Sequence, residues 1–286
     1  MFTQSLSVVL PAKNESEAIS ETIRAIHSLG IVNEILVIND GSTDSTQQVA
    51  EQAGATVISH QYSKGNGAAI KTGARHAKGE VIIFMDADGQ HDPKDIPRLL
   101  EKIEHGYDLV VGARHKGSQA SLGRSIANGL YNNLATYMTE HKVEDLTSGF
   151  RAVRADKFKE FLYLLPNGFS YPTTSTMAFF RAGYSICYIP IHAEKRIGKS
   201  HIHPIKDSVR FFLIIFKIAT LYSPLKMFLP FAVILFILAT SWYGYTLYEF
   251  GRFTNMSALL YTGSIMIFLM GLISEQITAL MYKDSN

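Results

Sequence analysis

The chain has 286 residues, of which 47% are hydrophobic and only 18% are charged, which excludes an intrinsically disordered protein. The length corresponds to one large domain or two modest ones, at about 150 residues per domain. The formal net charge of +2 is too small to indicate a nucleic-acid-binding protein, and the single cysteine excludes a disulfide framework or a cysteine-rich zinc module.

Strand and helix patterns alternate from the start of the chain to about residue 193. Short apolar runs predict strands at 6–10, 34–39, 56–58, 80–85 and 108–112. Helical spacing of apolar residues predicts helices at 15–29, 45–53, 68–77 and 96–104. This alternation is typical of the α/β class, with a mainly parallel sheet covered by helices on both faces.

The chain changes character after residue 194. Seven basic residues and one acid, Asp207, lie between Lys195 and Lys226, interleaved with apolar and aromatic side chains. This pattern predicts amphipathic helices that lie in a membrane interface. A basic surface helix of a soluble domain is the alternative.

Two uncharged runs of 22 residues follow, at 227–248 and 253–274. Each is long enough to cross about 30 Å of hydrocarbon, and the alternative is a buried helical hairpin in a soluble core. Basic residues flank the pair, so the positive-inside rule places both flanks in the cytosol and the connection 249–255 outside. The first residues lack the features of a signal peptide, so the preceding domain is expected to remain cytosolic.

The sequence therefore predicts three parts. They are an α/β domain at 1–195, an interfacial segment at 196–224, and two transmembrane helices, about 227–249 and 255–281, within 225–286. We expect a multi-pass protein of the inner (cytoplasmic) membrane, or of an equivalent membrane, with its α/β domain and C-terminus in the cytosol.

Polar residues follow directly after the predicted strands. The first strand is followed by Pro11–Glu15, the second by Asn39–Ser45 and the fourth by Asp86–His91. Because ligands bind at the carboxyl ends of strands in such sheets, these segments are expected to border one cleft. Turn formation and helix capping are the alternative for Asp, Ser and Thr, above all at Asp44 and Ser45.

Asp86 and Asp88 stand one residue apart after a buried strand. Two like charges this close disfavour each other's ionised form, and a divalent cation removes that cost. Mg²⁺ or Mn²⁺ takes carboxylate oxygens and leaves its remaining positions to diphosphate and water. We therefore expect a metal site at Asp86 and Asp88, to which Gln90 adds a neutral oxygen or in which it orients Asp88.

The segment 64–69, Lys-Gly-Asn-Gly-Ala-Ala, precedes and opens the third predicted helix. Backbone amides in such a turn can cradle a phosphate. A tight turn that positions Lys71, or that caps the helix, is an equal alternative. Lys71 is a candidate for the donor site on either interpretation.

Four segments in order, Val9–Glu15, Val37–Asp44, Met85–Asp88 and Asp145–Arg151, resemble the motifs of family 2 glycosyltransferases with the GT-A fold. The last resembles the acceptor-side motif of the dolichyl-phosphate mannose synthase-like polyprenyl-phosphate glycosyltransferases. The two C-terminal helices resemble those of the bacterial glucosyl and aminoarabinosyl members of that branch. The resemblance implies a mixed, mainly parallel GT-A sheet and an inverting enzyme that moves a sugar from a GDP- or UDP-linked donor to undecaprenyl or dolichyl phosphate.

The resemblance also implies roles for individual residues. The residues that would bind the nucleotide sugar are Pro11, Asn14, Glu15, Asp40, Asp86, Ala87, Gln90, Arg196 and Ser200. Arg114 and Arg124 match basic positions that meet the lipid phosphate or the diphosphate. A loop containing Arg196, Gly198 and Ser200 would close over the donor. His201 stands where the family has a lysine, which leaves Lys199 or His203 for that phosphate contact.

The implied acceptor bears on the chemistry of Asp145. A phosphate monoester has a second pKa of about 6, so its oxygen is a nucleophile at neutral pH without a general base. Arginine clamps and a metal ion would then bring the anions together and stabilise the leaving diphosphate. Asp145 either positions the sugar or an arginine such as Arg151, is a vestigial base, or caps a turn with Thr147 and Ser148.

Two rival functions stay open. A processive polysaccharide synthase, or a transferase with another membrane acceptor such as a glycolipid, would share the donor motifs. Processive synthases usually carry a Gln-x-x-Arg-Trp motif, whereas the only tryptophan here, Trp242, lies in a membrane run. A non-catalytic nucleotide-sugar-binding membrane subunit is the second rival. The expected partners are a nucleotide sugar, a polyprenyl phosphate, the lipid bilayer and a second copy of the chain, with no nucleic acid.

Three further features have two interpretations each. Asn128, Tyr131 and Asn132 belong either to the acceptor site or to a plain polar helix face. The segment Tyr171–Thr176 lies where selectivity for the sugar could arise. Glu275 lies near the inner end of the second membrane helix, where helix packing is favoured over catalysis.

Overall fold

The computed structural model describes residues 4–114, 122–168, 171–192 and 222–281, together with residues 216 and 220. The chain divides into two compact units, Met1–Pro204 and Ile205–Asn286. The first unit contains the sheet with its flanking helices, and the second contains two long helices. Most of the predicted interfacial segment 196–224 lies outside the described residues, so that prediction stays untested.

Seven strands form a single sheet in the order β3-β2-β1-β4-β6-β5-β7. Their bounds are β1 Leu6–Ala12, β2 Glu34–Asn39, β3 Thr56–Ser59, β4 Val81–Phe84, β5 Leu109–Arg114, β6 Arg151–Arg154 and β7 Ile186–Ile191. The five strands predicted from apolar runs are all present, so the prediction of an α/β sheet is confirmed.

Strand β6 runs antiparallel to both of its neighbours, β4 and β5, whereas the other neighbouring strands are parallel. The amino end of β6 therefore lies at the same edge of the sheet as the carboxyl ends of the other six strands. Because of this reversal, the loop that precedes β6 lies at the same edge of the sheet as the loops that follow β1, β2, β4 and β5.

The helices of the first unit cover both faces of the sheet. Their bounds are α1 Ile19–Ser28, α2 Thr46–Gln52, α3 Asn66–His76, α4 Ile96–Glu104, α5 Leu122–Thr139, α6 Ala155–Glu160 and α7 Tyr171–Arg181, with a 3₁₀ turn at Pro93–Asp95. The central strands β1 and β4 are mostly apolar and are buried along almost their whole length, which is typical of a sheet covered on both faces. Side chains at helical spacing pack on it from α1 and α4: Ile19, Ile23, Ile26, Ile96, Leu99, Leu100 and Ile103.

Helix α1 begins four residues later than the apolar spacing predicts. Asn14 has a left-handed backbone with φ of 56°, and the amide of Glu15 donates to Thr46 Oγ1 at 2.9 Å. These contacts tie Asn14 and Glu15 to the loop after β2. The residues up to Ala18 therefore form a turn, and the α-helix starts at Ile19.

The carboxylate of Asp108 is buried at the amino end of β5. Lys157 Nζ donates to it at 2.8 Å, and the amide and hydroxyl of Ser185 each donate at 2.8 Å. Burial by itself raises the pKa of Asp108, but these hydrogen bonds and the Lys157 charge outweigh burial, and the pKa lies below its ordinary value of 3.8. The folded state therefore holds the Asp108 proton less tightly than the unfolded state does. Ionised Asp108 thus contributes its full stabilisation to the folded state above the ordinary pKa of 3.8, and this contribution is lost as the pH falls through the lowered pKa.

We expect Asp108→Asn to lower the free energy of unfolding at neutral pH by about 1–3 kcal/mol, because buried donors lose their charged acceptor. The difference from wild type should shrink as the pH falls from about 4 to about 2. Thermal unfolding of the detergent-solubilised protein at stepped pH measures this. The matched control is Asp156→Asn, at an exposed position on α6. A difference that stays constant down to the lowest pH would contradict the prediction.

The second unit is a pair of apolar helices, α8 Pro224–Phe250 and α9 Asn255–Met281, within a few residues of the predicted bounds. Small buried side chains recur every seven residues: Ala232, Ala239 and Thr246 on α8, and Ser257, Ser264, Gly271 and Thr278 on α9. Ser264 Oγ also donates to the Ala232 carbonyl at 2.8 Å. A seven-residue repeat keeps one seam of each helix against its neighbour, as in left-handed helix pairs.

Gly271 marks a close approach of the two helices of this hairpin. A Cβ at Gly271 would lie 2.8 Å from Phe228 Cβ, whereas a Cβ at Gly244 of α8 would meet no atom within 4 Å. We expect Gly271→Ala to destabilise the hairpin by about 1–3 kcal/mol through overpacking. Gly244→Ala should instead stabilise α8 slightly through helix propensity. Thermal unfolding in detergent compares the two, and equal effects would refute the tight seam.

Glu275, one helical turn after Gly271, connects α9 to the start of α8. Its Oε2 accepts from the Leu225 amide at 3.2 Å and from Ser223 Oγ at 3.3 Å. A carboxylate there satisfies an otherwise unpaired amide of the first turn of α8 and complements the helix dipole. These contacts support the helix-packing interpretation of Glu275.

Both helices of the hairpin are long and apolar enough to cross a membrane, and only 11% and 17% of their apolar windows are buried within the chain. The remaining surface exposes large side chains such as Phe231, Ile234 and Ile273. Apolar surface of this extent requires an apolar surrounding. The hairpin therefore associates this chain with a membrane.

Candidate active site

The loops at one edge of the sheet bring most of the predicted site residues together. Pro11 lies in the last two residues of β1 and Asn14 follows that strand, Asp40 follows β2, and Asp86 follows β4. Arg114 ends β5, and the loop 145–149 precedes the reversed strand β6. Four acidic or amide side chains and one arginine therefore lie at the carboxyl edge of the sheet: Asn14, Asp40, Asp86, Asp145 and Arg114.

The loops after β1 and β2 are fastened to each other. The Asn14 amide donates to Ser42 Oγ at 3.0 Å, and Asn14 Oδ1 accepts from the Thr43 amide at 2.8 Å. Asp44 accepts from the amides of Ser16 at 3.3 Å and Thr46 at 3.0 Å. Asp44 thus acts as a turn and helix-start acceptor, which is the capping alternative, while the Ser45 side chain forms no cap.

Asp40 is buried, and its two carboxylate oxygens accept four hydrogen bonds. His60 Nδ1 lies 2.7 Å away, and Ser63 Oγ and the amides of Lys64 and Gly65 each donate at 2.8 Å. Burial raises the pKa of Asp40, but the hydrogen bonds outweigh it and hold the pKa below its usual value. The ionised carboxylate therefore fixes the loop 60–65 over the end of β2, and its role toward the nucleoside stays a prediction.

His60 was not among the residues predicted from sequence. Its Nε2 lies 2.9 Å from Thr72 Oγ1 on α3, opposite the nitrogen that faces Asp40. The ring therefore joins the strand end to α3. The position of His60 directly after β3 is the sequence signal that indicates such a role.

The glycine turn at 64–67 does not serve as a phosphate cradle in this structure. The amides of Lys64 and Gly65 donate to Asp40. Those of Gly67 and Ala68 donate to the carbonyls of residues 168 and 167, at 3.1 and 2.8 Å. Four amide donors are therefore already committed within the protein, which favours the tight-turn alternative. A Cβ at Gly67 would lie 2.0 Å from the Pro166 carbonyl oxygen, so the close approach requires glycine.

Lys71 points toward the same segment. Its Nζ donates to the Leu165 carbonyl at 3.1 Å and to the Asn167 side chain. Burial and then the charge of Arg75 lower the pKa of Lys71. The contacts of the Lys71 ammonium brace the segment 165–167 against α3, and binding of the donor by Lys71 stays a prediction.

Asp86 and Asp88 differ in exposure. The Asp88 residue is 7% exposed and its Oδ1 accepts from the Gln90 amide at 3.2 Å, while the Asp86 side chain is 35% exposed. A Cβ on Gly149 would lie 3.0 Å from Asp86 Oδ2, so the missing side chain at 149 leaves room beside this carboxylate. His91 Nε2 lies 3.6 Å from Asp86 Oδ2 and its ring stacks on Phe150.

These two carboxylates fit a divalent ion that is shared with a diphosphate. Among the residues described, no group of three or more His, Cys, Asp or Glu side chains is arranged to hold a metal ion. Mg²⁺ is commonly bound through one or two carboxylates together with substrate phosphates. The partly open Asp86 carboxylate and the space at Gly149 match that mode of binding. Gln90 contributes a backbone contact to Asp88, and its side chain as a metal ligand stays a prediction.

Arg114 and Asp145 form a bidentate ion pair at the end of β5. Arg114 Nε donates to Asp145 Oδ2 at 2.8 Å, and Nη2 donates to Oδ1 at 3.1 Å and to Thr147 Oγ1 at 2.7 Å. The amides of Thr147 and Ser148 also donate to Asp145 Oδ1, at 3.1 Å each. The pair thus fixes the guanidinium of Arg114 at the edge that carries Asp86, whose charge also acts on Arg114.

Asp145 is poorly suited to accept a proton. Burial raises its pKa, but hydrogen bonds and charge from Arg114 outweigh burial, and the pKa lies below the usual value. The same pair raises the pKa of Arg114 although burial opposes this. Of the alternatives open from sequence, the structure shows two together: Asp145 caps the turn at Thr147 and Ser148, and it positions an arginine.

That arginine is Arg114 and not Arg151. Arg151 is fully buried, and its guanidinium donates to the carbonyls of Ser148 and Pro172 and to Ser175 Oγ. The interpretation of Arg151 as a phosphate-binding partner of Asp145 is therefore wrong. Strand alternation explains the difference, because Arg151 begins β6 facing the protein interior while Arg114 ends β5 at the open edge.

Several predicted residues are not tested. Arg196 and Ser200 lie outside the described residues, as does the side chain of Arg124 on α5. Pro11 is partly buried at the end of β1, and Ala87 is buried between Asp86 and Asp88.

Asn132 and Tyr131 of α5 turn toward the protein. Asn132 Nδ2 donates to the Glu144 carbonyl at 2.6 Å, and Asn132 Oδ1 accepts from the Leu146 amide at 3.0 Å. Tyr131 is buried, which raises its pKa. Asn132 thus holds the segment before the 145–149 loop in place and is not part of a plain polar helix face. A role of Asn132 at the acceptor site stays a prediction.

Two family descriptions match the chain. The family "Glycosyl transferase family 2" matches residues 7–162, and the family "GtrB C-terminal hairpin" matches residues 223–280. The first match contains the strand-end acids and the 145–149 loop. The second coincides with the two apolar helices.

Curated proteins that are similar carry transferase names. The chain is 29% identical over 231 residues to glycosyltransferase AglJ of Haloferax volcanii, covering 78% of this chain and 75% of that protein. It is 34% and 36% identical over 208 residues to the undecaprenyl-phosphate 4-deoxy-4-formamido-L-arabinose transferases of Edwardsiella ictaluri and Salmonella paratyphi B. Those alignments cover 69% of this chain and 62% of each arabinose transferase, so the chain spans less than two thirds of their length.

Solved structures share the fold. Glucosyl-3-phosphoglycerate synthase from Mycobacterium tuberculosis, in complex with Mn²⁺ and UDP-glucose, superposes with a TM-score of 0.62 at 23% sequence identity. The match covers 76% of this chain and 78% of that chain.

Proposed function

Because the chain belongs to glycosyl transferase family 2, we propose that it transfers a sugar from a nucleotide sugar to a polyprenyl phosphate at a membrane surface. The family and the GT-A type of mixed, mainly parallel sheet predicted from the four motifs are confirmed. Similarity to the undecaprenyl-phosphate transferases and the match of the hairpin support the choice of acceptor.

One observation carries the proposal: Arg114 is fixed by Asp145 at the edge of the sheet that carries Asp86. An arginine that is always charged suits the phosphate of an acceptor or of a leaving diphosphate. The site therefore supplies a cation for phosphate beside carboxylates for a metal–diphosphate unit. This combination supports transfer to a phosphate acceptor better than transfer to a sugar hydroxyl.

The reaction needs no general base from this chain. A phosphate monoester is largely ionised at neutral pH because its second pKa is about 6. The work of the residues is to hold the acceptor oxygen in line with the anomeric carbon, and the Arg114–Asp145 pair would orient that acceptor. Attack from the face opposite the leaving group would invert the anomeric configuration.

A divalent cation, Mg²⁺ or Mn²⁺, would be held by Asp86 and Asp88, and the structural neighbour that contains Mn²⁺ and UDP-glucose supports this. When bound, the ion stabilises negative charge on the departing diphosphate. Gly149 leaves room beside Asp86 for such a unit. Asn14, Glu15 and Asp40 border the neighbouring strand ends, where we place the nucleoside.

The hairpin α8–α9 would cross the membrane twice. Its flanking basic residues, Lys226 before and Lys283 after, favour a cytosolic position for both ends. In this arrangement the α/β domain meets the acceptor head group at the cytosolic surface while the polyprenyl tail stays in lipid. A homo-oligomer through the exposed hairpin surface is part of the same proposal.

The test is product formation by the full chain in detergent. Purified protein receives a short-chain polyprenyl phosphate, Mg²⁺ or Mn²⁺, and a panel of GDP- and UDP-sugars, and mass spectrometry detects the lipid. A lipid phosphosugar from one donor is the expected result, and it would also identify the sugar and the base.

Two outcomes would contradict the proposal. Release of nucleoside diphosphate with glycolipid or polysaccharide acceptors, and no lipid phosphosugar, would indicate a different membrane acceptor. Nucleotide-sugar binding without turnover on any acceptor would indicate a non-catalytic binding subunit. A reaction in which free phosphoglycerate replaces the polyprenyl phosphate at the same concentration serves as the control. It measures transfer to a soluble phosphate monoester.

A further inference from the structure

The segment Tyr171–Thr176, where sugar selectivity was expected, is buried throughout. It forms the first turns of α7 and packs against the loop 145–149. The polar side chains of Thr173, Ser175 and Thr176 therefore face the protein interior. The polar side chains of this segment must serve a partner inside the protein.

That partner is Arg151. Its Nη1 donates to the Pro172 carbonyl at 2.9 Å and to Ser175 Oγ at 2.8 Å, and its Nη2 donates to the Ser148 carbonyl. Arg151 forms no ion pair with any carboxylate in the described part of the chain. A buried arginine without such a partner is costly, and its guanidinium fork joins α7 to the 145–149 loop.

Tyr171 makes a second connection between the same two elements. Its hydroxyl donates to the Gly149 carbonyl at 3.1 Å, and its ring lies under the Arg151 guanidinium at 5.6 Å. The loop is therefore held at Ser148 by Arg151 and at Gly149 by Tyr171. Thr173 Oγ1, at 3.5 Å from the Leu146 carbonyl, adds a longer contact at the other end of the loop.

The loop held in this way touches both halves of the proposed site. Gly149 borders the Asp86 carboxylate so closely that a Cβ would lie 3.0 Å from Oδ2. Asp145 clamps Arg114 through two hydrogen bonds. A small shift of the loop would therefore move the carboxylate for the metal–diphosphate unit and the arginine for phosphate relative to each other.

We propose that Arg151 and Tyr171 are positioning residues, which lock the loop 145–149 and so set the alignment of Asp86 with the Arg114–Asp145 pair. The inference rests on the proposed function for its kinetic consequence, although the locking itself does not depend on it. Both residues are buried, with 0% of Arg151 and 2% of Tyr171 exposed. Their buried side chains act through the loop.

The test compares Tyr171→Phe with the matched control Tyr184→Phe. The first removes only the hydroxyl that meets Gly149, and the second removes a hydroxyl that donates to Glu160 at 2.8 Å, away from the loop. We expect Tyr171→Phe to lower kcat about tenfold with donor KM changed less than threefold, because misalignment by a fraction of an ångström affects the transition state most. Tyr184→Phe should keep wild-type kcat.

Hydrogen exchange provides a readout that does not depend on activity. The Ser148 amide donates to Asp145 Oδ1, so peptides that contain residues 145–151 should exchange faster in Tyr171→Phe, while peptides from β2 stay unchanged. Arg151→Lys, which keeps the charge but lacks the fork, should produce the same local change. If that variant does not fold, Tyr171→Phe decides alone.

The outcomes separate this inference from the proposed function. If wild type forms no lipid product, the proposed function fails. The inference is then decided by comparing wild type with Tyr171→Phe in hydrogen exchange at residues 145–151 and in the Kd for Mn²⁺–nucleotide. Unchanged exchange at 145–151 and unchanged kcat in Tyr171→Phe would overturn it. So would faster exchange throughout the domain with a lowered Tm, because that result describes a general structural role.

Discussion

Asp86→Asn is expected to reduce turnover about 1,000-fold, because a metal ion that stabilises the leaving diphosphate is worth several kcal/mol of barrier height. The substitution keeps the size of a side chain that is 35% exposed, so the fold should persist. The neutral amide loses the charge that would hold a divalent ion. Metal-dependent nucleotide binding, measured by calorimetry with Mn²⁺ and the free nucleoside diphosphate, should weaken in parallel with kcat.

A nearby aspartate provides the control for this substitution. Asp92 is exposed and its carboxylate accepts from the Lys94 amide at the start of the 3₁₀ turn. Asp92→Asn changes the same formal charge six residues away and should leave kcat within about twofold of wild type, as surface substitutions usually do. Full turnover by Asp86→Asn, or an equal loss in both variants, would eliminate Asp86 as the metal-binding carboxylate.

Arg114→Ala is expected to lower kcat/KM about 100-fold, because a charge-assisted contact to phosphate is lost and Asp145 is left buried without its partner. The loss should appear mainly in the KM for the acceptor if Arg114 meets the acceptor phosphate, and mainly in kcat if it meets the leaving diphosphate. Steady-state kinetics with acceptor and donor varied separately distinguishes these assignments.

Asp145→Asn separates positioning from proton transfer. A positioning aspartate predicts a loss of about tenfold that is uniform across pH, because the asparagine still accepts one hydrogen bond from Arg114. A general base predicts a much larger loss and removal of the acidic limb of the pH–rate profile. The lowered pKa of Asp145 supports the uniform loss.

The control for both variants is another arginine–aspartate pair. Arg98 pairs with Asp95 on the surface of α4 and donates to the Pro190 carbonyl. Arg98→Ala removes an ion pair that is more exposed than that of Arg114 and should leave kcat/KM near the wild-type value. Equal losses in Arg98→Ala and Arg114→Ala would contradict a specific role for Arg114.

The fold of the first half of the chain follows from local sequence. Short uninterrupted apolar runs rich in β-branched residues, such as Ile35–Ile38, predict buried strands, and the spacing of Ile19, Ile23 and Ile26 fits one helical face. The two long apolar helices follow equally directly, because their length and lack of charge are local properties. The boundary of α1 was the exception, since contacts from Asn14 and Glu15 to a distant loop override helical spacing there.

The partners of the charged residues did not follow from local sequence. Asp145 has Arg151 six residues away along the chain but pairs with Arg114, which is 31 residues away. The choice depends on the reversed strand β6 and on which way each side chain faces from its strand, and a shift of one residue would invert that choice. Asp40 and the glycine turn are likewise satisfied by contacts with distant segments.

The sequence by itself determined the family, the strand-end acids and the apolar hairpin, because motif spacing and hydrophobic periodicity are written along the chain. Only the tertiary structure decided which arginine faces the site, that the amides of the glycine turn are already bonded, and that the first turns of α7 are buried around Arg151. The physical reason is that buried polar groups take whichever partners the packing of the whole domain brings within hydrogen-bond distance, and this packing is set by strand order and direction.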